Sequence, residues 1–235
     1  MKRVLSLLLA LVMCLSLCAC GGGNDTPETT VPETTVPEPM VLSKDEMLAA
    51  AEVVTLSQIE IDINSNILKA KQLYCDKVLK VTGIVVSVQE DYVEVGIDTS
   101  VDGVVIDVHL PIEELLLLEK RQAVTIVGTT NDVVNETSSG SMMGLEWVKT
   151  HFTMPEAYLV NDTFEVSGKL FGINQSNAPA FNFDDGTSVT KLLYFADGVD
   201  LSAISSTSEI TVKGKFFLAG PQNDTYVIRD AIIVE

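Results

Sequence analysis

Two glycine-bearing strand patterns occur twice in this chain, and they constrain its fold more than any other feature. VTGIV at 81–85 recurs as VSGKL at 166–170, and TIVG at 125–128 recurs as TVKG at 211–214. The separation between the two glycines is almost the same in both copies. A glycine inside a strand marks a sharp bend or a close backbone approach, and small barrels turn their corners in this way. The repeat therefore predicts two small β-barrels in tandem.

The charge of the chain is strongly acidic, with 33 Asp and Glu residues against 15 Lys and Arg residues and a formal net charge of −18. So acidic a protein repels phosphate backbones and anionic lipid surfaces at long range. A length of 235 residues fits one or two domains, and a hydrophobic content of 46% is ample for packed cores. Nucleic acid is therefore an unfavoured partner.

The N-terminus has the organisation of a secretory signal. Three residues, Met1 to Arg3, form a basic start, and an apolar run follows at 4–17. That run is shorter than the roughly 20 residues that a helix needs to span a bilayer, so it is typical of the apolar part of a signal peptide. The cysteine at the end of this segment decides what kind of signal it is.

The sequence LCAC at 17–20, followed by three glycines, resembles the bacterial lipobox. In that motif a small residue precedes a cysteine that is diacylated and becomes the mature N-terminus. The resemblance implies that residues 1–19 are a signal peptide and that Cys20 carries the lipid. Two acyl chains suffice for stable anchoring, so we expect a protein on the extracytoplasmic face of a bacterial cell membrane. The alternative is an ordinary signal cleaved after Ala19.

Residues 20–40 are predicted to form a disordered linker. PETTV occurs at 27–31 and again at 32–36. Proline fixes φ and the glutamates repel one another, so an extended, semi-rigid spacer is expected. Beyond the three N-terminal cysteines lies Cys75, which has no partner for an internal disulfide and is interpreted as a small, partly buried apolar residue.

The first globular domain is predicted at 41–162. Ser43 and Glu46 have the spacing of a capping box, so a helix begins there. A second helix is predicted from Leu56 to Tyr74, because apolar residues recur at helical spacing; an alternating stretch at 59–63 makes a short strand the competing interpretation. The remaining elements are strands at 78–89, 92–98, 104–110, 122–130 and 151–160, a helix at 112–120 and a polar loop at 131–146.

The second domain is predicted at 163–235, where the strand pattern starts again without a leading helix. Strands are expected at 164–173, 181–183, 189–195, 209–218 and 225–234, with a short helix possible in 197–206. Lys169, Lys213 and Lys215 alternate with apolar neighbours, so we expect them to face water on paired strands, where such charges protect strands from aggregation.

Three strands, a helix and two strands is the order of the OB-fold, a five-stranded Greek-key barrel. NILKA at 66–70, Tyr74 and VTG at 81–83 resemble the tRNA-anti-like branch of OB-fold domains, which often occurs in bacterial lipoproteins. The likeness covers about 55–130 and, more loosely, the chain to 160. It implies a fold and does not imply tRNA binding.

The predicted fold class is therefore mainly β: two tandem OB-fold-like five-stranded barrels, the first preceded by one or two α-helices, after a signal peptide and a disordered linker.

The usual binding face of an OB-fold consists of its second and third strands. Tyr92 lies there with Glu94 and Asp98, beside Asp107 and His109 of the next strand. Single-strand binders need a basic groove with stacking aromatic residues, and this face is acidic with one tyrosine. A solvated barrel face is the simpler interpretation, with Tyr92 kept as a candidate contact.

The segment 131–150 contains Met142, Met143, Leu145 and Trp147, which is the single tryptophan. Methionine and an aromatic residue on a loop can form a partner-binding patch, and they can also seal the open end of a barrel. Sealing is the preferred interpretation. The candidate partner-binding residues are Tyr92, Met142, Met143 and Trp147.

Catalytic motifs are missing from the sequence. His109 and His151 have no metal-ligand spacing around them, and no nucleophile elbow, phosphate-binding loop or zinc-protease motif occurs. We therefore predict no cofactor, no metal and no enzyme activity. The predicted function is a membrane-anchored, non-catalytic binding or scaffolding module for a protein or glycan partner in the cell envelope. Single-strand nucleic-acid binding and a hydrolase assembled only in three dimensions are the alternatives.

Overall fold

The computed structural model describes residues 42–99, 103–131, 133–139, 146–174, 180–187, 190–202, 204–205, 208–219 and 225–234. For 133–139, 146–151, 172–174, 180 and 190 it describes the backbone alone. The predictions for the signal peptide, Cys20 and the linker lie outside these residues. Within the described part, no helix combines the length and the apolar character that crossing a membrane requires.

Two helices precede the main sheet. They are α1 (Lys44–Ala50) and α2 (Leu56–Tyr74), with the short strand β1 (Glu52–Val53) between them. The capping box at the start of α1 is confirmed: the backbone N–H of Ser43 donates to Glu46 Oε2 at 2.9 Å, and the Ser43 hydroxyl accepts from the Glu46 N–H at 3.4 Å. This pairing satisfies amide donors that a helix N-terminus otherwise leaves without partners.

Helix α2 runs over the predicted residues but bends at Asn66, which has extended backbone angles (φ −165°, ψ 100°). The Asn66 side chain accepts a hydrogen bond from the Lys69 N–H at 3.2 Å, so it caps the second half of the helix. Both halves bury their predicted apolar positions, including Ile59, Ala70 and Tyr74. The helix prediction is confirmed and the competing strand at 59–63 is wrong.

The first half of the described chain forms an open, curled eight-stranded sheet. Its further elements are β2 (Val78–Val88), β3 (Val93–Gly96), β4 (Gly103–Val108), α3 (Ile112–Leu115), β5 (Ala123–Thr129), β6 (Val133–Ser139), β7 (Glu146–Met154) and β8 (Glu156–Asn161). The strand order is β6-β7-β4-β3-β2-β5-β8, and β1 adds to β2 in parallel. Strands β4 and β7 are parallel, and the other neighbours along this path are antiparallel.

Three predictions for this half are corrected. The polar loop at 131–146 contains β6, because its β-branched residues pair antiparallel with β7 from Val133–Phe152 to Ser139–Glu146. The strand predicted at 151–160 is two strands that meet at Pro155, which has no N–H for a ladder. The helix predicted at 112–120 is a single turn at Ile112–Leu115. Beyond it the N–H groups of Leu117 and Leu118 donate to carbonyls three residues back, so the chain continues as tight turns.

The second half forms a closed five-stranded barrel. Its strands are β9 (Phe164–Asn174), β10 (Ala180–Asp184), β11 (Thr190–Phe195), β12 (Glu209–Ala219) and β13 (Thr225–Val234). They close in the order β10-β11-β13-β12-β9, and β11 and β13 are parallel. All five strand predictions are confirmed within a residue or two, whereas no helix occurs in the described residues of 197–205. The fold is mainly β, as predicted.

The repeated glycines lie where the backbone is approached closely. A Cβ on Gly168 would overlap the carbonyl oxygen of Asp184, and one on Gly83 would lie 2.6 Å from both Leu56 Cδ1 and Val95 Cγ1. Real Cβ atoms essentially never approach other atoms so closely. The prediction of close approach at these two positions is therefore confirmed.

Each half has its own hydrophobic core. In the curled sheet, residues of α2 such as Ile59 and Tyr74 pack against sheet residues such as Phe152, whose ring meets that of Tyr74 edge-on at 6.3 Å. In the barrel the buried core residues are Leu170, Phe183, Leu193, Val212, Ile228 and Ala231. Cys75 is half-buried against the first core, which agrees with its interpretation as a small, partly buried apolar residue.

Candidate binding cleft

The two halves belong to one compact unit, 41–235, and the turn between α3 and β5 docks on β12. The Leu218 N–H donates to the Arg121 carbonyl at 2.9 Å, and Gln122 forms an antiparallel bridge with Phe217. The Gln122 side chain is fully buried; its Oε1 accepts from the Glu119 N–H at 2.9 Å and its Nε2 donates to the Asp162 carbonyl at 3.4 Å. The buried amide thus ties the turn before β5 to Asp162 in the segment that joins the two halves, and the backbone contacts with β12 hold that turn against the barrel.

Charged side chains extend this contact to the surface. Arg229 Nη2 lies 2.7 Å from Glu119 Oε2, and the Arg229 guanidinium lies 3.5 Å from the centroid of the Phe217 ring. Lys215 Nζ lies 3.4 Å from Asp162 Oδ2. Of the three lysines predicted to face water, Lys169 and Lys213 are exposed, and Lys215 is half-buried in this ion pair.

A cleft of about 430 Å³ lies between the outer face of the curled sheet and one end of the closed barrel. The sheet contributes Thr82, Gly83, Ile84, Ile97 and Ala123, and the barrel contributes Phe164, Glu165, Val166, Lys191, Phe216 and Tyr226. Domain interfaces and the mouths of β-barrels are the places where ligand sites are most often found, and their volumes run from about 300 to 1,000 Å³.

Two of the barrel side chains in the cleft, Lys191 and Tyr226, are in the inward phase of their strands. Lys191 precedes the buried Leu193 by two residues, and Tyr226 precedes the buried Ile228 by two. Because strand side chains alternate between faces, both residues occupy the last inward layer at the barrel end. The cleft is therefore the mouth of the barrel, covered by the neighbouring sheet.

Lys191 is the buried charge of this mouth. Its ammonium donates to Asp185 Oδ1 and to Thr187 Oγ1, each at 2.8 Å, and lies 6.0 Å from the centroid of the Tyr226 ring. Burial raises the pKa of the Asp185 carboxyl, but hydrogen bonds from Lys191 and Thr187 outweigh this effect and lower the pKa from 3.8 to about 2. The carboxylate therefore stays ionised and balances the ammonium.

The walls of the cleft are apolar with hydroxyl groups at their edges. The Phe164 and Phe216 rings meet edge-on, with centroids 5.9 Å apart. On the sheet side, Thr82 Oγ1 lies 2.8 Å from Thr125 Oγ1. Glu165 is exposed at the rim and stands opposite Lys213 in the β9–β12 register. The cleft thus combines aromatic faces with a small number of polar groups.

Tyr92 lies on the face predicted from the sequence but does not line the cleft. Its ring centroid is 5.7 Å from that of His109, at an angle of 41°. On the same face Glu94 stands opposite Asp107 in the register and accepts a hydrogen bond from the Ser87 hydroxyl at 2.6 Å. Of the acidic residues predicted to share this face with Tyr92, Glu94 and Asp107 are therefore brought together there.

The other predicted contact residues are beyond what the structure describes. Met142 and Met143 lie outside the described residues, as does Cys20. Trp147 lies in β7, where its backbone pairs with Ser138, and its side chain is not described. Whether this segment seals the sheet or contacts a partner stays a prediction.

Sequence reasoning missed the cleft residues. One signal was present: Lys191 stands on the same face of its strand as Leu193, two residues later, and that face is turned towards the core. A charge in a core-facing position needs a partner, and Asp185 lies six residues before it. The aromatic residues gave no such signal, because core and ligand-facing aromatic residues have the same spacing.

Among the described residues, no group of three or more His, Cys, Asp or Glu side chains is placed to hold a metal ion. The sequence matches no protein-family model and no curated protein at a significant level of similarity. What the chain binds is therefore inferred from its own residues.

Proposed function

We propose that this protein is a lipid-anchored binding module on the extracytoplasmic face of a bacterial cell membrane, and that the cleft holds its protein or glycan partner without catalysing a reaction. The observation that carries the proposal is the cleft itself, a barrel mouth with aromatic walls and a buried, ion-paired lysine, held beside a docked sheet.

We further propose that both halves are OB-like barrels of the tRNA-anti-like type. The pairing orders support this proposal. In the second half the strands run β9-β10-β11, β11 pairs in parallel with β13, and β12 returns the chain to β9. In the first half β2, β3 and β4 take the first three places, β7 pairs in parallel with β4, and β8 pairs with β5. A fifth strand split at Pro155 accounts for the difference.

The residues that carry the tRNA-anti-like resemblance all have structural partners. Asn66 caps the second half of α2, Ala70 is fully buried, and Tyr74 is buried with its hydroxyl donating to Asp62. Their presence is explained by packing and capping. The resemblance therefore supports a fold and adds nothing in favour of RNA as a partner.

The lipid anchor is supported by the N-terminal motifs and is tested by two matched substitutions in the full-length protein made in a bacterium. Cys20→Ala is expected to release the protein from the membrane fraction, and Cys18→Ala is expected to leave it there. Intact mass of the membrane-extracted protein should show acyl chains on Cys20. A protein without acyl chains would contradict the anchor.

The cleft is tested by photo-crosslinking in intact cells. A benzoylphenylalanine in place of Ile97, which lines the cleft and is 39% exposed, is expected to capture an envelope component. The same group in place of Lys169, exposed on β9 but outside the cleft, is the control. Ala123→Trp fills the cleft and is expected to abolish the capture from position 97. Capture from position 97 that survives Ala123→Trp would contradict the proposal.

Nucleic acid is the less favoured partner because the described lining of the cleft has one basic side chain, Lys191, and Asp185 already balances it. Single-strand binders track the phosphate backbone with a positive groove. We expect no mobility shift with single-stranded DNA or RNA even at low salt, where phosphate contacts are strongest.

A further inference from the structure

We infer that the ligand of the cleft is a neutral saccharide, one or two sugar rings of a glycan that pack between the barrel mouth and the sheet. This inference rests on the proposed function, since it names the chemical class that the cleft would bind. It follows from the charge of the cleft, its hydrogen-bonding groups, its aromatic walls and the pairing of its strands.

The charge of the cleft favours a neutral ligand. Among the described residues that line the cleft, the one cation, Lys191, is already paired with Asp185 at 2.8 Å, so an anionic group would meet no unbalanced positive charge from them. A cationic group would have to approach that same ammonium. Glu165 at the rim stands opposite Lys213 in the strand register, so the rim also carries both signs. A ligand without charge avoids the cost of removing either a positive or a negative group from water.

The polar groups call for a ligand that both donates and accepts hydrogen bonds. An ammonium has three N–H donors, and among the described residues two acceptors face that of Lys191, Asp185 Oδ1 and Thr187 Oγ1. One donor is left for a ligand oxygen. The Glu165 carboxylate only accepts, and the hydroxyls of Thr82 and Tyr226 do both. Sugar hydroxyl groups supply donors and acceptors side by side.

The walls provide surface for the apolar faces of sugar rings. Phe164 and Phe216 stand edge-on to each other, and Tyr226 lies beside the ammonium. Across the cleft, Ile84 and Ala123 are direct neighbours in the sheet. Aromatic faces carry negative charge density that attracts weakly positive hydrogens, such as the C–H groups of a sugar. A volume of about 430 Å³ is within the range of small-molecule sites.

The pairing of β11 and β13 disfavours an extended peptide beside the Lys191 ammonium. Peptides are commonly captured by adding a strand to an open sheet edge. Lys191 pairs with Phe183 on one side and Tyr226 on the other, and Tyr226 pairs in turn with Leu218. A peptide backbone would find no edge at these two positions, whereas a sugar needs only side chains.

The test uses the full-length protein in a detergent that has no sugar headgroup. Titration calorimetry and saturation-transfer NMR are recorded with chitotriose, cellotriose and maltotriose as neutral probes. We expect at least one of them to bind. Glu165→Gln replaces a charged acceptor oxygen with an amide donor, and Tyr226→Phe removes a hydroxyl group. Each is expected to raise the Kd roughly fivefold, as losing one hydrogen bond does. The controls Glu209→Gln and Tyr194→Phe alter residues outside the cleft and are expected to leave the Kd unchanged.

Three results would overturn the inference. Binding of none of the three saccharides by the folded protein would do so, as would saccharide binding that Ala123→Trp does not weaken. Binding at the cleft by sialyllactose alone, or by a neutral peptide alone, would overturn the inference that the ligand is a neutral saccharide. The proposed function would still stand. The proposed function fails separately, when the crosslink from position 97 persists in Ala123→Trp cells.

Discussion

The ammonium nitrogen of Lys191 lies 2.8 Å from Oδ1 of Asp185, and the two side chains are only 7% and 12% exposed. The pair ties the start of β11 to the turn that follows β10, so it closes the barrel end at the floor of the cleft. Removing one partner of a shielded ion pair leaves the other charge uncompensated. The same contact therefore governs both the stability of the barrel and the electrostatics of the cleft.

Replacing Lys191 by methionine is expected to destabilise the protein by roughly 1–3 kcal/mol, because Asp185 loses a charged hydrogen bond while it stays shielded from solvent. Denaturant unfolding at neutral pH measures the change. Lys169→Met, at an exposed position of β9, is the control and is expected to stay within about 0.5 kcal/mol of the parent. Equal effects of the two substitutions would show that the ion pair contributes nothing.

Stability should also depend on pH through Asp185. Its pKa is about 2 in the folded protein and near 3.9 in an unfolded chain, so between these values the unfolded state binds more protons. The contribution of the carboxylate is therefore complete above about pH 5 and is lost as the pH falls through the folded value. The stability gap between parent and Asp185→Asn, measured by urea unfolding from pH 6 to pH 2.5, is expected to shrink on acidification. A gap that stays constant would contradict this assignment.

The barrel tolerates no side chain at Gly168. A Cβ there would overlap the Asp184 carbonyl oxygen and lie 2.8 Å from Phe183 Cζ. Gly168→Ala is therefore expected to cost roughly 1–3 kcal/mol, as overpacking does. The adjacent Ser167→Ala is the control; it loses only the exposed hydroxyl pair with Thr211 at 2.7 Å, so a cost below about 1 kcal/mol is expected. Thermal and denaturant unfolding compare the two, and a smaller cost at position 168 than at 167 would refute the close-approach argument.

Much of this fold was predictable because local pattern and tertiary role agree. The glycine repeat indicated where the backbone is approached closely in both halves, and hydroxyl pairs occur at matching places, Thr82 with Thr125 and Ser167 with Thr211. Alternation gave the strands of the barrel, and the apolar stripe gave α2. The bend at Asn66 was not predicted, because an asparagine inside an apolar stripe becomes a cap only when the core fixes both halves of the helix.

The cleft could not be predicted, because it depends on how the two halves dock. That docking uses a backbone bridge between Gln122 and Phe217, and neither residue type identifies such a contact in a sequence. The hairpin of β6 and β7 was missed for a related reason: polar residues in 131–146 indicate a loop, whereas pairing with a neighbouring strand makes part of that segment a strand. Only the inward-facing Lys191 gave a local signal of the site.

The docking of the two halves is expected to depend on the buried Gln122 more than on the exposed ion pair beside it. Gln122→Leu leaves the Glu119 N–H and the Asp162 carbonyl without the amide that satisfies them, and an unsatisfied buried group costs roughly 1–3 kcal/mol. Arg229→Ala removes an ion pair whose side chains are 42% and 54% exposed. Exposed pairs and exposed cation–π contacts each contribute about 1 kcal/mol or less. Urea unfolding of both variants measures the difference, and limited proteolysis near position 162 reports whether the halves separate. If Arg229→Ala proved the more damaging, the surface contact would be what holds the cleft together.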